Sequence, residues 1–173
     1  MKSKKTISKL LTITYLILLS VVVWSCNDDD SNGPDLTGDS YTYLLGAVSD
    51  PGINGNVTFS ELSDGNVSVD IRLNGTSSGT HPAHIHFNTA AEGGGIAISL
   101  TPVDGASGMS TTIVNATDAG DAISYDELLD FDGYINVHAS ASDLATLLAQ
   151  GDIGQNELTG DQKMYALGER AVE

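Results

Sequence analysis

The fold is decided by the stretch Val67-Ser68-Val69-Asp70-Ile71-Arg72-Leu73. Apolar and polar residues alternate along it, so in an extended strand every apolar side chain lies on one face and every polar one on the other. A strand with one buried and one solvated face is typical of antiparallel sheets. The preceding Asp64-Gly65-Asn66 predicts a hairpin turn from an earlier strand over residues 57–62.

Short β-rich runs continue outward from this strand in both directions. Further strand candidates lie at residues 41–45, 57–62, 81–87, 96–100, 111–115 and 134–138. Turns rich in glycine separate them at spacings of roughly ten residues, a pattern typical of two packed antiparallel sheets. We therefore predict an all-β fold, an antiparallel Greek-key β-sandwich.

Two stretches near the C-terminus do not follow the strand pattern. Residues 125–131 are ambiguous and compatible with a helical turn. Leu144, Leu147 and Leu148 have helical spacing; Ser142 is placed to cap such a helix, and Gly151 to end it. We predict one short helix near residues 143–150.

The histidines are confined to two of the predicted strands. Three of the four lie in His81-Pro82-Ala83-His84-Ile85-His86-Phe87, and the fourth is His138. Alternation places His84 and His86 on one face of their strand, and Tyr134, Asn136 and His138 on one face of the later strand. If the two strands are close in one sheet, His84, His86 and His138 converge. Three neutral imidazoles on rigid strands predict a site for one copper or zinc ion.

Each of these residues also has a reading without metal. The three histidines can form a polar cluster that backbone carbonyls and Asn136 satisfy. His81 is expected to be a loop residue held by hydrogen bonds, with a fourth metal ligand as the lesser alternative. Asn136 is predicted to orient a metal ligand, or else to make a hydrogen bond at the strand edge.

The N-terminus predicts export and lipidation. Lysines at positions 2, 4, 5 and 9 precede an apolar run over residues 10–24, which is short for a membrane span of about 20 residues. The only cysteine, Cys26, follows directly, and the whole segment resembles a bacterial lipoprotein signal. That resemblance implies removal of residues 1–25, lipidation of Cys26 and a membrane anchor in the cell envelope of a Gram-negative-type bacterium. The expected location is the outer membrane, with the protein periplasmic or surface-exposed.

The domain plan follows from this signal. An acidic, polar run over residues 27–35 cannot bury apolar surface, so we predict a flexible tether over residues 26–38. Residues 39–173 then form the sandwich domain.

Charge limits the possible partners. The formal net charge is −16, and loss of the four signal lysines changes it to −20. Such a surface repels nucleic acid and anionic membranes and disfavours an anionic substrate. No nucleic-acid partner is expected, whereas the protein or surface partner stays open.

The histidine spacing, the strand over residues 134–138 and the segment Gly151-Asp152-Ile153-Gly154 resemble the CHRD domain, named after the chordin repeat. The resemblance runs from about Gly38 to Gly160 and implies a fold more than an activity. The same stretches are more distantly similar to copper/zinc superoxide dismutase. That similarity implies copper ligation by His84, His86 and His138, with His81 in a structural role.

The chain departs from the dismutases in ways that bear on activity. It has no histidine between Phe87 and Ile135 to bridge to a zinc site, and no arginine between Arg72 and Arg170 to guide an anion. We therefore expect a non-catalytic metal-binding or interaction module on an exported lipoprotein. The alternatives are a copper-dependent redox enzyme of the dismutase type and a purely structural, adhesive repeat domain.

Overall fold

The structure, a computed structural model, describes residues 33–49 and 52–157. The predicted signal peptide, Cys26 and most of the tether lie outside these residues. The described part contains eight strands and one helix: β1 (Leu36–Ala47), β2 (Asn54–Leu62), β3 (Val67–Asn74), β4 (Thr80–Phe87), β5 (Ile96–Asp104), β6 (Met109–Val114), α1 (Tyr125–Leu129), β7 (Asp132–Ser140) and β8 (Asp143–Gly154). Among the described residues, no helix has the length and apolar character needed to cross a membrane.

The strands form a closed antiparallel arrangement in the order β1-β2-β3-β6-β5-β4-β7-β8. Strands β4, β5 and β6 are consecutive neighbours, and β7 returns to lie beside β4, which is a Greek-key connection. Two of the junctions are short. Strand β1 pairs with β8 at Gly46 and Ala47, with two more backbone hydrogen bonds from Val48 and Ser49, and β5 pairs with β6 only between Asp104 and Met109. The barrel is thus flattened into two four-stranded sheets, and the all-β antiparallel sandwich is confirmed.

The core lies between these two sheets. The alternation in β3 is confirmed, because Val67, Val69 and Ile71 are buried whereas Arg72 is exposed. Ile135 on β7 belongs to the same core and is fully buried. Burial of each such side chain stabilises the fold by about 1.5–3 kcal/mol. The two histidine-bearing strands, β4 and β7, are therefore held from their core side.

The predicted helix near residues 143–150 is wrong, because this segment is strand β8. Ala149 pairs with Val137 of β7 and Ala47 of β1, and both Ala149 and Ile153 are fully buried. Leu144, the first residue of the apparent helical stripe, is half-exposed. Pairing on both sides outweighs the local helical spacing, as tertiary context does for short segments.

The signal for β8 was a period of two in its second half, over Ala149, Gly151 and Ile153. Irregular pairing next to His138 and Leu147 hides that period in the first half. Gly151 also has a different role from the one predicted. It does not end a helix; it lies where a Cβ atom would collide with the Leu44 carbonyl of β1. A glycine in a strand commonly marks such a close backbone approach.

The helical turn falls within the ambiguous stretch. Helix α1 has a capping box in which the Glu127 N–H donates to Ser124 Oγ, and the Ser124 N–H donates to Glu127 Oε2 at 2.8 Å. Leu128 from this helix is fully buried in the core. The short helix is thus stabilised by its cap and by one anchoring side chain.

Candidate metal centre

Strands β4 and β7 are hydrogen-bonded neighbours in one sheet. His84 is paired with Asn136, and His86 with Tyr134. This adjacency is the condition on which the predicted convergence of the histidines depended. His138 lies two residues beyond Asn136 on the same strand, so its ring reaches the same face as those of His84 and His86.

The three imidazoles do converge. Their candidate ligand nitrogens all lie within 4.8 Å of one another, and His84 Nδ1 is 3.2 Å from His138 Nε2. The centroid of the His84 ring is 5.1 Å from that of the His138 ring and 5.8 Å from that of the His86 ring. His86 and His138 are buried, whereas His84 is half-buried. The cluster therefore has one side open to solvent, at His84.

Backbone carbonyls determine the tautomers of two of these rings. His138 Nδ1 lies 2.7 Å from the Leu144 carbonyl oxygen, and His86 Nδ1 lies 3.0 Å from that of Gly94. A carbonyl can only accept, so each Nδ1 carries the proton and each Nε2 of the neutral ring keeps a lone pair. It follows that His84 Nδ1 donates its hydrogen to His138 Nε2.

His86 Nε2 is the atom of the cluster that most strongly indicates a metal ligand. It is buried and has no hydrogen-bond partner among the described residues. A buried polar atom without a partner is costly, and a role as a metal ligand would explain it. Two imidazole nitrogens that share an ion at about 2.0–2.1 Å can be at most about 4.2 Å apart, so the widest pair needs to close by up to about 0.6 Å. The residues present thus fit a single transition-metal ion.

Tyr134 supports the His86 ring in two ways, by stacking against it and by a hydrogen bond to the loop that contacts it. The two rings stack with centroids 5.0 Å apart and planes 18° from parallel. The Tyr134 hydroxyl accepts a hydrogen bond from the Gly94 N–H at 3.2 Å, and the Gly94 carbonyl in turn accepts from His86. A Cβ atom on Gly94 would collide with the Phe87 carbonyl. Sequence alternation placed Tyr134 on this face, but nothing in the sequence indicated its contact with the loop.

Burial keeps two of the rings neutral. Desolvation lowers the pKa of His84, and the neighbouring His138 and His86 lower it further, while Asp118 opposes the shift. Desolvation also lowers the pKa of His86, against the hydrogen bond to Gly94, which raises it. A neutral imidazole is the form that binds metal. The lowered pKa values of His84 and His86 therefore favour the ligand form of these two rings.

This electrostatic setting predicts how metal affinity depends on pH. Protons compete for an imidazole below its pKa, and three unshifted histidines with pKa near 6.5 would cost up to about a thousandfold in affinity per pH unit. Because the pKa values of His84 and His86 are lowered, we expect a clearly shallower loss between pH 6.5 and 5.5. Zinc competition titrations across this range measure the slope. A loss as steep as that of three free imidazoles would contradict the prediction.

His81 lies apart from the cluster. Its Nδ1 is 2.8 Å from the Ala139 carbonyl oxygen and its Nε2 is 3.2 Å from that of Ser77. Both ring nitrogens thus face backbone oxygens, and the ring joins the β3–β4 loop to the end of β7. His81 itself lies in strand β4 and not in the predicted loop, because it pairs with Val103 of β5. His81 is not among the described residues that share the candidate ligand set.

Asn136 is turned toward the neighbouring strand. Its Oδ1 accepts a hydrogen bond from Gln150 Nε2 of β8 at 2.7 Å. Among the described residues it has no hydrogen bond to a histidine, so its contact ties β7 to β8. The orienting contacts come instead from the Gly94 and Leu144 carbonyls, which no sequence pattern indicates.

The comparisons with known proteins agree with the fold assignment. A family model of the CHRD domain matches residues 36–143, which is more than half of the chain and includes every histidine. No curated protein and no solved structure matches the chain significantly.

Proposed function

The chain belongs to the CHRD domain family, and on that premise we propose that it is an exported cell-envelope lipoprotein whose barrel binds one copper or zinc ion through His84, His86 and His138. One observation carries the metal proposal: three imidazole nitrogens lie within 4.8 Å of one another. The Nε2 of His86, which is buried without a partner, supports it. Binding without turnover is the activity that this arrangement supports best.

A hydrogen-bonded cluster alone leaves these rings poorly satisfied. The protons on Nδ1 of His86 and His138 are committed to backbone carbonyls. The Nδ1–H of His84 then donates to the Nε2 lone pair of His138, and the Nε2 lone pair of His86 is left without a donor. A cation removes this deficit, because it accepts several lone pairs at once.

The chemistry of the donors narrows the choice of metal. Imidazole ligands suit zinc and copper, and the divalent series favours copper. Among the described residues, the set contains no thiolate, since the only cysteine, Cys26, lies outside them. The negative charge of the surroundings also favours binding of a cation. Arg72 is the only lysine or arginine in residues 33–49 and 52–157, which contain many carboxylates. The same field slows an approaching anion such as superoxide.

The test is a copper titration of the metal-free protein, followed by electron paramagnetic resonance. We expect saturation at one equivalent, with a spectrum showing coupling to several nitrogens. A large excess of zinc should compete for the same site and replace the nitrogen-coupled spectrum with that of unbound copper. Copper that never saturates, or that binds without nitrogen coupling, would refute the metal proposal. On the saturated protein, superoxide consumption is expected to equal that of the metal-free protein plus free copper.

The anchor is tested separately, because its support lies in the N-terminal sequence alone. We expect Cys26→Ala to move the protein from the membrane to the soluble fraction, since the acyl chains attach through that sulfur. Ser25→Ala is the matched control, which changes the neighbouring residue but keeps the cysteine. Equal fractionation of the two variants would contradict lipidation.

A further inference from the structure

The three clustered histidines are not supported equally. His86 and His138 each donate from Nδ1 to a backbone carbonyl, so each has an oxygen that orients the ring. His84 uses Nδ1 toward His138, and its Nε2 has no hydrogen bond within the described part of the chain. Metal-binding histidines almost always donate their second N–H to an oxygen, and that contact sets ring orientation and ligand basicity. His84 lacks such an oxygen from the backbone.

Asp118 is held beside His84 by the adjacent strand. Ser99 of β5 is the direct pairing partner of His84. Side chains of directly opposed residues lie on the same face, with Cβ atoms about 4.5–5.5 Å apart. Asp118 accepts hydrogen bonds from the Ser99 N–H at 2.9 Å and from Ser99 Oγ at 2.7 Å.

The loop that carries this carboxylate is itself attached to β5. The Asp118 N–H donates to the Ala97 carbonyl at 2.8 Å, and Ala116 forms a bridge with Ala122 across the base of the loop. The carboxylate therefore has a defined position on the solvent-open side of the cluster. The two groups also act on each other electrostatically: Asp118 raises the pKa of His84 against burial, and His84 adds to the lowering of the Asp118 pKa by its Ser99 hydrogen bonds.

The Nδ1-protonated tautomer of His84 explains why His84 and Asp118 are not hydrogen-bonded to each other. With its proton on Nδ1, His84 has a lone pair on Nε2, and a carboxylate cannot donate to it. Ligation through Nδ1 requires that this nitrogen lose its proton and that the neutral ring carry one on Nε2. One proton leaves the ring to solvent and one is taken up, so the net change is zero.

We propose that Asp118 accepts the Nε2–H of His84 when the cluster holds a metal ion, and so acts as the positioning residue for that ligand. The inference rests on the proposed metal function of the same site. It assigns a role to the loop between β6 and α1, and it makes Ser99 the residue that presents the carboxylate.

The test compares Asp118→Ala with a matched carboxylate variant, Asp104→Asn. Asp104 is likewise exposed and accepts from a serine, Ser107 Oγ at 2.7 Å, but it belongs to another turn. We expect Asp118→Ala to weaken zinc binding by about 10–100-fold and Asp104→Asn to change it by less than about twofold. Ser99→Ala, which removes only the hydroxyl, should cause a smaller loss in the same direction.

Long-range ¹H–¹⁵N spectra of the imidazoles supply a readout that a merely structural role would not move. Metal-free protein should show His84 protonated on Nδ1, and zinc-loaded protein should show a slowly exchanging proton on Nε2. That proton should exchange rapidly in Asp118→Ala. Equal zinc affinity in Asp118→Ala and the parent, or an unshifted Nδ1 proton in the loaded protein, would overturn this inference alone. Failure of the parent to bind zinc or copper would overturn the proposed function as well.

Discussion

Replacing His86 with alanine is expected to weaken zinc and copper binding by more than about a hundredfold, beyond the loss typical of a supporting residue. His86 supplies the one cluster nitrogen that is buried and unpartnered, so its removal leaves only two imidazoles for the ion. The stability of the metal-free protein should fall little, because the variant also removes the cost of that unpaired atom. Competition titration and urea unfolding of the metal-free form measure the two effects.

His81→Gln is the matched histidine variant for this experiment. His81 is buried and contacts two carbonyl oxygens away from the cluster. We expect His81→Gln to lower the stability of the metal-free protein by about 1–3 kcal/mol and to leave the metal affinity unchanged. The variant at His86 should therefore lose metal affinity with little loss of stability, and the variant at His81 should lose stability with no loss of metal affinity. If both lost metal affinity equally, the assignment of the ligand set would be wrong.

Replacing Ile135 with alanine is expected to destabilise the protein by about 2–5 kcal/mol. Ile135 is fully buried at the centre of β7, where it pairs with Ile85 of β4 and Gly151 of β8. The deletion leaves a cavity between the two sheets, and close pairing on both sides limits how far the strands can collapse into it. Urea unfolding, monitored by circular dichroism, measures the change.

The matched control is Ile113→Ala, which makes the same deletion in a strand but at a side chain that is 54% exposed. We expect it to change stability by less than about 0.5 kcal/mol. Similar losses for Ile135 and Ile113 would mean that the core does not lie between the sheets as described. A large loss at Ile135 alone also supports the pairing of β7 with both neighbours, on which the position of His138 depends.

Local alternation predicted the strands wherever one face is buried along the whole element. In β3 every second residue enters the core as the sequence pattern predicts, although Ser68 on the opposite face is buried as well. In β8 the apolar residues Leu147 and Leu148 are adjacent, and the pairing shifts near Leu147. A helix and an irregular strand produce the same local spacing there. Only the presence of β1 and β7 on either side decides between them.

The candidate site also has one part that the sequence predicted and one part that it did not. The convergence of His84, His86 and His138 was predictable on the condition that β4 and β7 are neighbours, because alternation places His84 and His86 on one face of β4 and His138 on the matching face of β7. The roles of Tyr134 and Asp118 were not predictable. Tyr134 acts through a loop glycine, and Asp118 acts through the side chain and backbone of Ser99.

Residue pattern was sufficient to predict the fold class, the core face of β3 and which histidines can meet, since side-chain direction along a strand is a local property with a period of two. Tertiary structure alone decided that residues 143–154 form a strand, which ring nitrogens keep their lone pairs, and which carboxylate lies beside His84. Those outcomes depend on backbone carbonyls and amides in neighbouring strands and loops, such as those of Gly94, Leu144 and Ser99. Side-chain periodicity does not report where such backbone groups lie in space.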